Sequence, residues 1–156
     1  MHDLGELILE GVANSWESGA DYLKIEIEKA LGFFRVQIQD NGTFQEDGKW
    51  FDLGVSSKGD GRGRGLFLIK SVDENATLER RNNLSTLVFC GRDDGSLNAL
   101  EDVLFPIFQF PVAIQLRYIV EERVVLELSK KKGEEILRAK EIAKFKDFVR
   151  LRIRSV

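Results

Sequence analysis

The sequence predicts an α+β fold, a mixed sheet covered by helices on one face, continued by a small α/β extension. Three observations point there. Paired runs alternate apolar and polar residues, as half-buried strands do. Between the pairs, apolar residues recur every three to four positions, as in amphipathic helices. The order helix, two strands, loop, helix, two strands suits a helical layer on an antiparallel or mixed sheet. With 156 residues, 43% hydrophobic and 31% charged, the chain can bury the core of one domain with an appendage.

Leu4, Leu7, Ile8, Val12 and Trp16 share one helical face, so a helix runs from Leu4 to about Ser18. Asp3 stands at its N-cap, with Glu6 three residues later, and Gly19 supplies the stop. From Tyr22 to Glu28, Leu23, Ile25 and Ile27 alternate with polar residues, and Phe34, Val36 and Ile38 repeat the pattern. Lys29 to Gly32 joins these strands as a hairpin, and Asp40-Asn41-Gly42 ends the second with a turn. Residues 43–65 are polar and glycine-rich, broken by Trp50, Phe51 and Val55, and are expected as a functional loop with room for one short helical turn. A helix from Gly65 to Val72 follows, then a second hairpin of Thr77 to Arg81 and Leu84 to Cys90, turned on Asn82-Asn83.

After a polar break at Gly91 to Gly95 come a helix near Leu97 to Leu104 and strands near Ala113 to Ile119 and Val124 to Leu128. A helix then runs from Glu134 to about Phe148. The stretch to Ile153 fits either its continuation or a strand alternating Val149, Leu151 and Ile153 with arginines. The expected division is residues 1–91 as one domain and 92–156 as an extension packed on it, with Phe105, Phe108 and Phe110 at the junction.

Composition removes several classes. One cysteine, Cys90, excludes an internal disulfide and a cysteine-based zinc cluster. One histidine, His2, excludes a multi-histidine metal site and argues against a Ser-His-Asp triad. No apolar run reaches the roughly 18 residues that cross a bilayer, and the first residues lack the features of a signal peptide. A soluble, cytoplasmic protein is expected. The formal charge of −3 hides an uneven distribution: residues 129–156 hold ten Lys/Arg against four Asp/Glu, and the first 128 hold 13 against 22. The basic tail suits a solvated helix face or an acidic protein partner, and nothing beside it resembles a nucleic-acid module.

Three segments carry candidate chemistry. Glu10 and Asn14 are four apart on a helix, a carboxylate and an amide oxygen of the hard type that Mg²⁺ accepts. Such a pair is also an ordinary polar helix face. Asp40-Asn41-Gly42 sets a carboxylate at a strand end beside a residue that permits close approach, or is simply a turn. In Ser56-Ser57-Lys58-Gly59-Asp60-Gly61-Arg62-Gly63-Arg64-Gly65-Leu66, alternate glycines lead into a helix start, an arrangement that presents bare amides to phosphate. The run lacks both Rossmann spacing and the ending of a P-loop.

In this order the three segments resemble the histidine-kinase-like (GHKL) ATPase superfamily. That group includes sensor histidine kinases, the mismatch-repair ATPase, type II topoisomerase ATPase domains, a heat-shock chaperone and anti-sigma-factor kinases. Glu10 to Ala20 resembles its N box, Val36 to Gly42 its G1 box, and Phe51 to Leu66 the stretch leading into Gly-x-Gly-x-Gly-Leu. Ser85-Thr86 is similar to the G3 position, and the resemblance covers about residues 3–90.

The resemblance implies a Bergerat-type α/β sandwich binding ATP with Mg²⁺. Asn14 would coordinate the metal, Asp40 would accept the adenine amino group, and Gly42 would pass close to the base. Gly61, Gly63 and Gly65 would line the phosphates with Lys58 nearby, and Thr86 would reinforce the adenine side. Glu10 stands where hydrolytic members carry the general base, although anti-sigma kinases carry a glutamate there too. Phe44 replaces a second glycine of the G1 box, and only 18 residues separate Gly42 from Gly61, which leaves a short lid.

No dimerisation helix with a phosphoacceptor histidine precedes the N box, so a complete sensor kinase is not expected. The whole chain is similar to small stand-alone bacterial ATP-binding proteins of this type. The expectation is a regulatory Mg-ATP-binding protein that acts on a partner protein as a Ser/Thr kinase or slow ATPase switch. The alternative is a non-catalytic ATP/ADP sensor signalling through its extension. A membrane partner is not expected, and homodimerisation is left open.

Overall fold

The apolar members of each alternating run gather on one side of a six-stranded sheet. The computed structural model describes residues 3–43, 64–132, 134 and 139–154. Its elements are α1 (Leu4–Glu17), β1 (Tyr22–Lys29), β2 (Phe33–Asp40), α2 (Arg64–Val72), β3 (Thr77–Arg81), β4 (Leu84–Arg92), α3 (Leu100–Ile107), β5 (Ala113–Val120), β6 (Arg123–Lys130) and α4 (Ala139–Arg154). The strand order is β3-β4-β2-β1-β5-β6. Leu23, Ile25, Ile27, Val36, Ile38, Leu87, Phe89, Ile114 and Leu116 are buried on the inner face. Over it lie the helices in the order α2-α1-α3-α4, as their mutual contacts require. This is the α+β sandwich that the patterning predicts.

All neighbouring strands are antiparallel except β1 and β5, which run parallel from Tyr22 opposite Ala113 to Lys29 opposite Val120. That pair joins the later strands to the earlier ones: β5 and β6 extend the same sheet on the far side of β1. A parallel neighbour needs a long crossover, and residues 93–112, with α3 among them, supply it.

The crossover also completes α1. The first backbone N–H groups of a helix have no internal acceptors. Leu4 N donates to Asp94 Oδ2 at 3.0 Å, Gly5 N to Ser96 Oγ at 3.1 Å and Glu6 N to Asp3 Oδ1 at 2.8 Å. Asp3 therefore caps as its position predicts, while Asp94 and Ser96 reach in from about 90 residues away.

The ambiguous tail is helical through Arg154. Val149 is fully buried, and Phe145 and Ile153, four residues to either side, pack against the core. Phe145 contacts Phe108 and Phe105, with ring centroids 5.4 and 6.3 Å apart, and Phe110 reaches Trp16 of α1 at 5.6 Å. Part of the basic tail meets the acidic start of α3, through Arg150 to Glu101 at 3.2 Å and Lys146 to Asp102 at 3.0 Å. The more exposed of the two, Lys146 with Asp102, contributes at most about 1 kcal/mol.

Two hairpins turn on left-handed residues. Asn82 (φ 55°) and Asn83 (φ 64°) form the turn their sequence predicts, and Glu121 (φ 51°) and Glu122 (φ 65°) form its counterpart between β5 and β6. Asparagine tolerates this conformation far better than glutamate does.

Candidate functional site

Among the described residues three polar side chains are buried, Ser15, Asp40 and Ser85, and all three meet at one place. Asp40 ends β2, and strand register sets Ser85 opposite it and Arg80 of β3 opposite Ser85. Ser15, in the last turn of α1, hydrogen-bonds to the Asp40 carboxylate from above. A buried carboxylate requires partners or it stays protonated. Here Asp40 Oδ1 accepts from Gly42 N at 2.8 Å, and Arg80 Nη1 donates to Gly42 O at 2.7 Å and to Ser85 Oγ at 3.3 Å. Burial pushes the Asp40 carboxyl above its ordinary pKa of 3.8, and the Ser15 hydroxyl, the Gly42 amide and the Arg80 charge oppose this without cancelling it.

Gly42 has a local reason to be glycine. A Cβ there would lie 2.9 Å from the Ser18 carbonyl oxygen and closer still to the Ser18 hydroxyl. Ser18 O in turn accepts from Thr43 N at 3.0 Å, so the end of α1 is clamped onto the turn after β2. Close approach of the protein itself therefore accounts for this glycine.

The elements around Asp40 share one end of the sheet. Leu4, at the start of α1, lies over Gly91, whereas Ser18, just past its end, lies over Gly42. At the other end of α2, Asp73 Oδ2 accepts from Cys90 N at 2.8 Å, so the N-terminus of α2 points toward the Asp40 end. Gly65 falls in its first turn. Helix dipoles make such an end favourable for anions.

Gly5 of α1 faces Val103 of α3, and Trp16 faces Phe110. Helical geometry puts Glu10 and Asn14 on the opposite flank, toward α2. Both are half-buried. Lys58, Gly61 and Gly63 lie outside the described residues. Asp40 and Gly42 thus meet at one end of the sheet, the first turn of α2 with Gly65 points toward that end, and Glu10 and Asn14 lie along the flank of α1 that faces α2.

Thr86 departs from the expected grouping. Alternation turns Thr86 to the outer face of the sheet, where its hydroxyl accepts from Gln39 Nε2 at 3.2 Å. The residue beside Asp40 is Ser85, so the reinforcing role expected of Thr86 fits its neighbour. Parity gave the signal: Leu87 and Phe89 are core residues, and Ser85 shares their side of the strand. Arg80 was detectable the same way, since Leu78 and Arg80 alternate with exposed Thr77, Glu79 and Arg81.

No family model matches the sequence, and no curated protein matches it. A solved structure described as the N-terminal domain of a DNA repair protein superposes with a TM-score of 0.62 over 86% of this chain, at 14% sequence identity. This chain spans 54% of that one. At that identity the likeness concerns the fold alone.

For a metal, the fit is partial but chemically apt. No group of three or more His, Cys, Asp or Glu side chains placed to hold a metal ion occurs among the described residues. Mg²⁺ commonly takes only one or two protein oxygens and keeps water and phosphate for the rest. Asn14 and Glu10 supply that type of oxygen. No helix among the described residues is long and apolar enough to cross a membrane.

Proposed function

We propose that the protein is a Mg-ATP-binding regulator of the histidine-kinase-like ATPase type, acting on a partner protein as a kinase or as a slow ATPase switch. One observation carries the reading: among the described residues the buried polar side chains are the Asp40 carboxylate at the end of β2 and the two serines beside it, Ser15 and Ser85. Beyond its bonds to Gly42 N and the Ser15 hydroxyl, the Asp40 carboxylate has lone pairs to spare, and an exocyclic amino group of a purine is a donor that suits them. In this reading Asn14 holds Mg²⁺, the glycines from Gly61 to Gly65 and Lys58 serve the phosphates, and Glu10 orients the attacking hydroxyl or water. Bound Mg²⁺ would neutralise phosphate charge.

Calorimetric titration with Mg-ATP tests the assignment. The parent is expected to bind, and Asp40→Asn to lose at least about tenfold in affinity, the scale of a lost charged hydrogen bond. An unchanged titration in Asp40→Asn, or no heat in the parent at millimolar ATP, removes the reading. Glu10→Ala then separates catalysis from sensing. A catalytic site retains binding and loses turnover, whereas turnover absent from both proteins favours the non-catalytic sensor.

A further inference from the structure

We propose that Arg80 is a positioning residue of this site, a latch that crosses from β3 over β4 and fixes the turn after Asp40 so that the carboxylate holds one orientation. The inference rests on the nucleotide reading of the pocket. Its geometry stands independently.

Glycine is the residue least constrained by its own backbone, and Gly42 lies two residues past Asp40, where β2 has ended. Its N–H is held by Asp40 Oδ1 at 2.8 Å and its carbonyl by Arg80 Nη1 at 2.7 Å. The same Nη1 lies 3.3 Å from Ser85 Oγ, the hydroxyl opposite Asp40. One guanidinium therefore touches the turn and the strand that flank the carboxylate. Both contacts come from Nη1, whose two N–H bonds are fixed in the guanidinium plane, whereas the shorter lysine side chain does not carry its ammonium to the same place.

Among the described residues, the groups presented to Asp40 are the Gly42 amide, the Ser15 hydroxyl from α1, the Ser85 hydroxyl from β4 and the guanidinium from β3. Arg80 is the charge among them, and it favours the ionised carboxylate. Loss of Arg80 would thus release the turn and shift Asp40 toward its neutral form, which is a poorer acceptor for a ligand N–H.

The test compares the full-length parent with Arg80→Met and Arg80→Lys. In nucleotide-free protein, amide exchange at Gly42 and the carboxyl carbon signal of Asp40 are followed against pH. Arg80→Met is expected to raise Gly42 exchange about tenfold, because a segment released at the Gly42 carbonyl opens the Gly42 N–H bond to Asp40 more often, and to move the Asp40 titration upward. Arg80→Lys restores the titration but not the Gly42 protection. Mg-ATP affinity should fall about tenfold in Arg80→Met, with a steeper loss on acidification than in the parent. If Arg80→Met stays folded and both Gly42 exchange and the Asp40 titration keep their parental values, the latch is overturned. If those signals move while the parent binds no nucleotide, the latch stands and the nucleotide reading fails.

Discussion

At the level of Asp40, the inner face of the sheet carries Arg80, Ser85 and Asp40 on β3, β4 and β2, then Leu23 and Ile114 on β1 and β5. Both sides of this row lie on the sheet face that the helices cover, with Arg80 half-buried at its end, yet they answer to different physics. Leu23 and Ile114 need only to be covered, and any apolar neighbour of suitable shape serves. Asp40, Ser85 and Arg80 need specific partners in specific directions, so the polar side tolerates fewer sequences while contributing less net stability. Such a cluster signals a site rather than a better core.

The comparison can be tested from both sides. The largest loss is expected on the apolar side, where Leu116 is fully buried on β5. Leu116→Ala should lower stability by about 2–5 kcal/mol, read as a reduced urea midpoint with an unchanged slope. On the polar side, Gly42→Ala should cost about 1–3 kcal/mol through crowding against Ser18. Adding Ser18→Ala should recover only part, because the Ser18 carbonyl at 2.9 Å remains. Full recovery would show that the hydroxyl alone sets the contact.

A smaller effect, of opposite sign, is expected at a hairpin outside both groups. Glu122→Gly relieves a left-handed glutamate at φ 65° and should stabilise by about 1 kcal/mol. A thermal midpoint that stays put would mean that this turn carries no strain. The subtlest prediction concerns pH. The folded state takes up the Asp40 proton more readily than the unfolded chain, so this residue weakens folding at neutral pH. That deficit fades as pH falls through the raised value toward 3.8. The stability of the parent relative to Asp40→Asn should therefore rise on acidification through that window. A relative stability that falls or stays flat over the same range would contradict the burial of the carboxyl.

Much of the fold was legible because period-two and period-3.6 patterns are local. All six strands, the Asn82-Asn83 turn and the Asp3 cap follow from residues within a few positions of each other. The pairing of β1 with β5 did not, since nothing in Tyr22 to Lys29 encodes which distant strand will lie beside it. The end of α4 was ambiguous because Val149 and Ile153 satisfy both periods, and burial against Phe145 and its neighbours selects the helix. Glu10, Asn14, Asp40 and Gly42 were found through motif order. The sequence singles out Ser85 only within the Ser85-Thr86 pair and gives Ser15 and Arg80 no role, because their significance comes from register, and register couples three strands and a helix.

The parallel seam between β1 and β5 has a consequence in time. Tyr22 must wait for Ala113 before that side of its strand is paired. At the usual synthesis rate of about 5–20 residues per second, the interval is roughly 5–18 s. For those seconds the nascent chain carries Leu23, Ile25 and Ile27 on an unpaired sheet edge, an adhesive surface of the kind that nucleates aggregation. Yield on expression should therefore depend on residues 113–120 far more than their distance from Asp40 suggests, and a chain halted near residue 91 is the form most in need of a chaperone.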